Sequence, residues 1–275
     1  METNQPLFQA IGIIRGSVTL ALELGQTSTV TIQGKTYNLY PVASKKGFRA
    51  LDALKKELEA TGKTEQRLIV YPKITHFPGK DKPHDMAFQL VGFDKGVESE
   101  GVTTDLGDFE FKICGLWQFI PVCQTPCISV FKNFTSERLE HVKKSELYKR
   151  VKFMKGSHIP ILWKDAPVKP FRFNPKLEKE QQGKASFVSV KAKFLPSRNV
   201  FGFDSLVALP LEEAPKFFKA SKKMKAEALQ ATREFKKAQG IETAKKAETP
   251  VKTEDSVTVR VKKPLPVLKP KKETT

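Results

Sequence analysis

Asp108 to Phe134 reads DFEFKICGLWQFIPVCQTPCISVFKNF and holds all three cysteines, one of the two tryptophans and five of the twenty phenylalanines. Phe109, Phe111 and Ile113 alternate with Glu110 and Lys112, the period-2 pattern of a strand with one buried face. Past Gly115 the apolar run Leu116, Trp117, Phe119, Ile120 breaks at Pro121 and Pro126, then resumes at Ile128, Val130 and Phe131. Proline cannot donate to a ladder, so these two belong to the tip of a hairpin. The charge also changes here: residues 1–120 sum to zero, 121–210 to +10 and 211–275 to +8.

On the N-terminal side, Phe8 to Leu24 (FQAIGIIRGSVTLALEL) predicts a strand that curves at Gly12 and Gly16. Thr27 to Val42 predicts a hairpin around Gln33-Gly34-Lys35, whose second arm carries Tyr37 and Tyr40. In the next segment Phe48, Leu51, Leu54 and Leu58 recur at helical steps, with Ser44 as the expected cap and Gly62 as the stop. Strands over Arg67–Phe77 and Met86–Phe93 follow, giving the order β-β-β-α-β-β. Gly96 to Asp108 is polar and locally acidic, the expected boundary between units.

On the C-terminal side, Thr135 to Gly156 predicts one helix. Short strands are expected over His158–Trp163 and Val168–Phe173, and a longer hairpin over Ala185–Pro196 and Asn199–Pro210. A last helix is expected from Pro215 to Gly240, with Phe217, Met224, Ala228, Ala231 and Phe235 on one face. The Lys- and Pro-rich run 241–275 has no apolar periodicity and is expected to be disordered.

A glycine-marked first strand and a helix between the third and fourth strands resemble small Greek-key barrels of the OB type, at the level of fold class. The expected fold is therefore mainly β with a few helices (α+β). It comprises two small barrel-like, OB-type units, a near-neutral one over 1–97 and a basic one over 108–210. An amphipathic helix over 211–240 and the basic tail complete it.

Length and composition point to a globular chain without a disulfide framework or an apolar run long enough to span a bilayer, so a soluble cytoplasmic protein with no membrane partner is expected. No GxxxxGK[ST], GxSxG or GxGxxG motif is present, and no catalytic residue is assigned. Cys114, Cys123 and Cys127 with His141 or His158 are poorly spaced for zinc, and His76, His84 and Asp85 lack a ligand spacing. No metal and no cofactor are expected.

The basic half carries the functional expectation. Residues 141–200 sum to +11 and contain Trp163, Phe171, Phe173, Phe187 and Phe194. Cations that follow phosphates and rings that stack on bases are what single-stranded nucleic acid requires. The densest case is KPFRFNPK (169–176), where Phe171 and Phe173 share one strand face and Arg172 takes the other. The candidate binding residues are Trp117, Lys169, Phe171, Arg172, Phe173, Lys184, Lys191, Lys193 and Arg198. The competing assignment for each phenylalanine is the core, and for each cation a solvated surface. GKASFVSV (183–190) fails as an RNA-recognition motif because Lys184 and Ser186 stand where aromatics belong. The expected function is non-catalytic binding of RNA or single-stranded DNA; the alternative is an assembly protein whose basic surface meets an acidic protein partner.

Overall fold

In the computed structural model, residues 6–21, 26–42, 47–78, 82–94 and 103–238 are described. Ser44, Glu98, Glu100, Gly240 and the tail 241–275 lie outside them. The described chain is mainly β, with eleven strands in one continuous sheet and four α-helices.

The first five strands are β1 (Gln9–Thr19), β2 (Thr29–Ile32), β3 (Lys35–Pro41), β4 (Glu65–Thr75) and β5 (Asp85–Phe93). β1 pairs β2, β2 pairs β3, β5 pairs β4 and β4 returns to β1, all antiparallel, while β3 runs parallel to β5. These ladders close a five-stranded mixed barrel. Helix α1 (Arg49–Thr61) lies between β3 and β4 and buries Leu54. It stops where Gly62 adopts a left-handed φ of 65° and donates its N–H to the Leu58 carbonyl, a conformation glycine enters without a Cβ penalty.

The remaining strands are β6 (Glu110–Phe119), β7 (Cys127–Val130), β8 (Ser157–Leu162), β9 (Phe171–Arg172), β10 (Phe187–Leu195) and β11 (Val200–Leu211). β6 pairs β7, β7 pairs β8, β11 pairs β10 and β10 returns to β6, all antiparallel, with β8 parallel to β11. β6 also pairs β1 through Phe111–Cys114 against Gly12–Gln9, which joins the two sets of strands. Gly12 permits this junction: a Cβ there would lie 2.2 Å from the ring of Phe111.

One apolar core runs through both sets. Phe111 packs edge-on against Phe201 at 4.9 Å and lies 6.4 Å from Phe88 of the barrel, while Tyr37 meets Phe194 at 5.7 Å. The Tyr37 hydroxyl donates to Asn199 Oδ1 at 2.9 Å, so its polar tip is satisfied where the ring is buried.

The helices depart from the sequence expectation in two places. The helix expected over 135–156 is two: α2 (Ser136–Lys144) and α3 (Leu147–Phe153). Ser145 ends α2 in an extended conformation, its hydroxyl bonded to the His141 carbonyl, and Arg150 ties its own carbonyl at 2.6 Å. A serine that bonds nearby backbone competes with helical continuation. The last helix, α4 (Lys222–Ala238), starts seven residues past Pro215, with Ser221 Oγ accepting from the Met224 N–H. The intervening stretch is held out of the helix because Phe217 bridges Asn133 and packs on Phe131 and Phe8. No described helix is long and apolar enough to cross a membrane.

Candidate nucleic-acid interface

Because β6 pairs β1 on one edge and β10 on the other, Gln9, Cys114, Ser189 and Ala208 form one transverse row across β1, β6, β10 and β11. All four line a groove of about 1000 Å³. Tyr71 and Gln89, paired neighbours on β4 and β5, also line it, as do Phe131 and the exposed Val207, Leu209 and Leu211 of β11.

The charged side chains of this groove are Lys112, Lys132, Arg138 and Lys155; no Asp or Glu is among the described lining residues. Alternation along β6 explains Lys112: Phe111 and Ile113 point into the core, so Lys112 faces outward. The nearest carboxylate along that strand, Glu110, is already engaged by Lys191 Nζ at 2.6 Å and the Gly107 N–H at 2.8 Å. Partial burial draws the Glu110 carboxyl upward, but those two hydrogen bonds and the Lys191 and Lys193 charges outweigh it and hold the group below the usual carboxylate range. Arg138 is oriented by a hydrogen bond of 2.9 Å to the Asn133 carbonyl.

None of the nine residues expected from sequence lines this groove. Trp117 is corrected outright: it is 1% exposed, packs on Trp163 at 5.4 Å and donates its Nε1–H to the Val168 carbonyl, so its ring is core and cannot meet a base. Lys169, Arg172 and Phe173 are exposed and Phe171 half-buried, where β9 runs beside the end of β6. There the Arg172 guanidinium lies 4.4 Å over the Phe119 ring. Lys184 is exposed in a shallow depression it shares with Glu212 and Glu213. Lys193 and Arg198 are exposed on β10 and its turn, while Lys191 is tied to Glu110.

The residues missed from sequence are Lys112, Lys132, Arg138, Lys155 and Tyr71. Outward alternation along β6 marked Lys112 as a surface position, but only the β1–β6 and β1–β4 ladders bring it to one groove with Tyr71. Tyr71 also stands across Gln89 from Tyr40 on β3, whose ring carries Lys73 Nζ at 3.8 Å. Comparison with protein-family models and with curated proteins gave no match.

Proposed function

We propose that this protein is a non-catalytic binder of single-stranded nucleic acid, RNA or DNA, and that the strand lies in the groove floored by β1, β6, β10 and β11. The observation that carries the reading is the groove's charge: four cations and no described acid around a channel that also presents Tyr71 and Phe131. In a chain of net charge +18, such a channel concentrates field lines and attracts a polyanion. The rings add base stacking, worth about 1–3 kcal/mol per base, to counterion release along the phosphates. We read both circuits of strands as OB-type, an architecture whose barrels commonly carry oligonucleotides. The exposed Lys169, Arg172 and Phe173 supply a second contact along the same strand, rather than the primary one.

The test is fluorescence anisotropy with a labelled oligonucleotide against heparin as a base-free polyanion. The expected result is tighter binding to the oligonucleotide, and a loss of at least about tenfold when Lys112, Lys132, Arg138 and Lys155 are all replaced by Gln. Equal binding by a folded quadruple variant would overturn the reading.

A second reading has its own observation. Residues 205–211 of β11 (SLVALPL) carry no charge, and Leu209 is 80% exposed. Past Gly202, β11 is paired through β10 alone, and an exposed apolar strand edge suits a protein partner. Co-purification of a nuclease-resistant protein partner, with no oligonucleotide binding, would favour that reading.

A further inference from the structure

Past the groove, the outer face of the five-stranded barrel carries a second patch of aromatic, amide and cationic side chains. Tyr40 of β3 and Tyr71 of β4 both pair with Gln89 of β5, so the three stand in one transverse row. One row along, Asn38 and Lys73 both pair with Ala87. Residues directly opposite in a ladder, and those two apart along a strand, share a face. Asn38, Tyr71 and Lys73 are exposed and Tyr40 and Gln89 half-buried, while Leu39, Pro72, Phe88 and Leu90, which alternate with them, are buried. The members also touch: the Lys73 ammonium lies 3.8 Å over the Tyr40 ring, and Asn38 Nδ2 donates to the Tyr40 hydroxyl at 3.4 Å.

Tyr71 and Gln89 belong to this patch and to the groove at once. Val70 pairs Gly12 of β1, and Ile11, next to Gly12, pairs Lys112 of β6. The same register carried one residue further sets Tyr71 opposite Ile11. Tyr71 is therefore two strand spacings, about 10 Å along the sheet, from Lys112 on one side and from Tyr40 on the other. A ligand that follows the groove past Lys112 meets Tyr71 next, then Gln89, then Tyr40 with its lysine. Two rows from Gln89 on the same face, Asp85 pairs Thr75, so a carboxylate bounds this path on one flank.

We infer, on the binding reading proposed above, that the single strand leaves the groove over Tyr71 and crosses β5 to a second subsite, where Tyr40 stacks on a base and Lys73 meets a phosphate. Gln89, between the two rings, offers an amide donor and acceptor to a base edge. Lys73 does not close the site. A base stacked on a ring is worth more than a cation resting on an exposed one, and the flexible lysine stem lets the displaced ammonium turn to the neighbouring phosphate.

The test is fluorescence anisotropy on the full chain with labelled oligonucleotides of about 4 to 16 nucleotides, the range a barrel of this type covers. Oligonucleotides long enough to pass Tyr71 should lose at least about fivefold in affinity with Y40L and should show a salt slope lower by about 0.7 with K73Q. The shortest oligonucleotide that binds should be indifferent to both, whereas K112Q weakens short and long alike. Y40F keeps the ring and loses only the hydroxyl, so it should bind as wild type does. Should Y40L unfold, the exposed K73Q decides alone. Long oligonucleotides bound by folded K73Q with an unchanged slope, or by folded Y40L with unchanged affinity, overturn the subsite and leave the groove standing. Failure of the wild-type chain to bind oligonucleotides of any length overturns both.

Discussion

The indole of Trp117 donates its Nε1–H to the carbonyl of Val168 across 3.1 Å, tying β6 to the segment that leads into β9. Removing this ring creates a cavity and leaves the half-buried Val168 carbonyl without its donor. W117A should cost about 3–5 kcal/mol of stability in denaturant titration, whereas F173A, at a side chain that is 60% exposed, should stay within about 0.5 kcal/mol of wild type. If the tryptophan variant kept full stability, the packing described for β6 would be wrong.

At the junction of β1 and β6 the prediction is steric. A methyl group at Gly12 would lie 2.2 Å from two atoms of the Phe111 ring and 2.6 Å from the Glu110 carbonyl oxygen. Backbone cannot yield as a flexible side chain does, so G12A should destabilise by about 1–3 kcal/mol, read as a lower denaturation midpoint. G34A, which would meet no neighbour but sits at a φ of 78°, tests backbone strain alone.

Glu110 gives the protein a pH dependence whose sign can be fixed. Its carboxyl titrates below the usual range in the folded chain, chiefly because the Lys191 and Gly107 hydrogen bonds outweigh partial burial. A depressed folded value means that the stabilisation is present above the unfolded value of about 4.3 and is lost as pH falls through the folded one. Melting temperatures at pH 7 and pH 3 should therefore differ less in E110Q than in wild type. An identical pH profile would show that the ion pair contributes nothing.

Salt titration separates the groove from the cations named by sequence. Each Lys→Gln change at a true phosphate contact should lower the slope of log K against log salt by about 0.7 for a single strand. K112Q, K132Q and K155Q are expected to do so. K191Q is expected to change the slope little, because its ammonium is already paired with Glu110. A larger effect from K191Q than from K112Q would move the interface to the outer part of β10.

Much of the β architecture was legible because alternation reports directly which residues face the core. The order of strands around α1 and the hairpin over 108–134 follow from it, and so does the outward position of Lys112. Local reading failed where a side chain overrides helical periodicity, as at Ser145, or where a distant partner holds the chain extended, as Asn133 does for Phe217. Trp117 was misread because an aromatic near a proline-rich hairpin tip carries the same local pattern whether Val168 covers it or not. The groove was illegible for a different reason: Tyr71, Lys112 and Lys155 are brought to one surface only by ladders between residues far apart in the chain.

The ladder of Gln9–Gly12 with Phe111–Cys114 joins partners about a hundred residues apart. During synthesis β1 can pair β2 and β4 well before β6 exists, but its Gln9–Gly12 segment lacks its β6 partner until Cys114 has been made. Any nascent chain shorter than about 114 residues leaves that part of β1 as an open, mostly apolar edge, the kind of surface that recruits other strands. Premature termination before β6 should consequently yield chains that aggregate rather than a smaller working barrel, and the same ladder makes the chain's earliest residues depend on its middle.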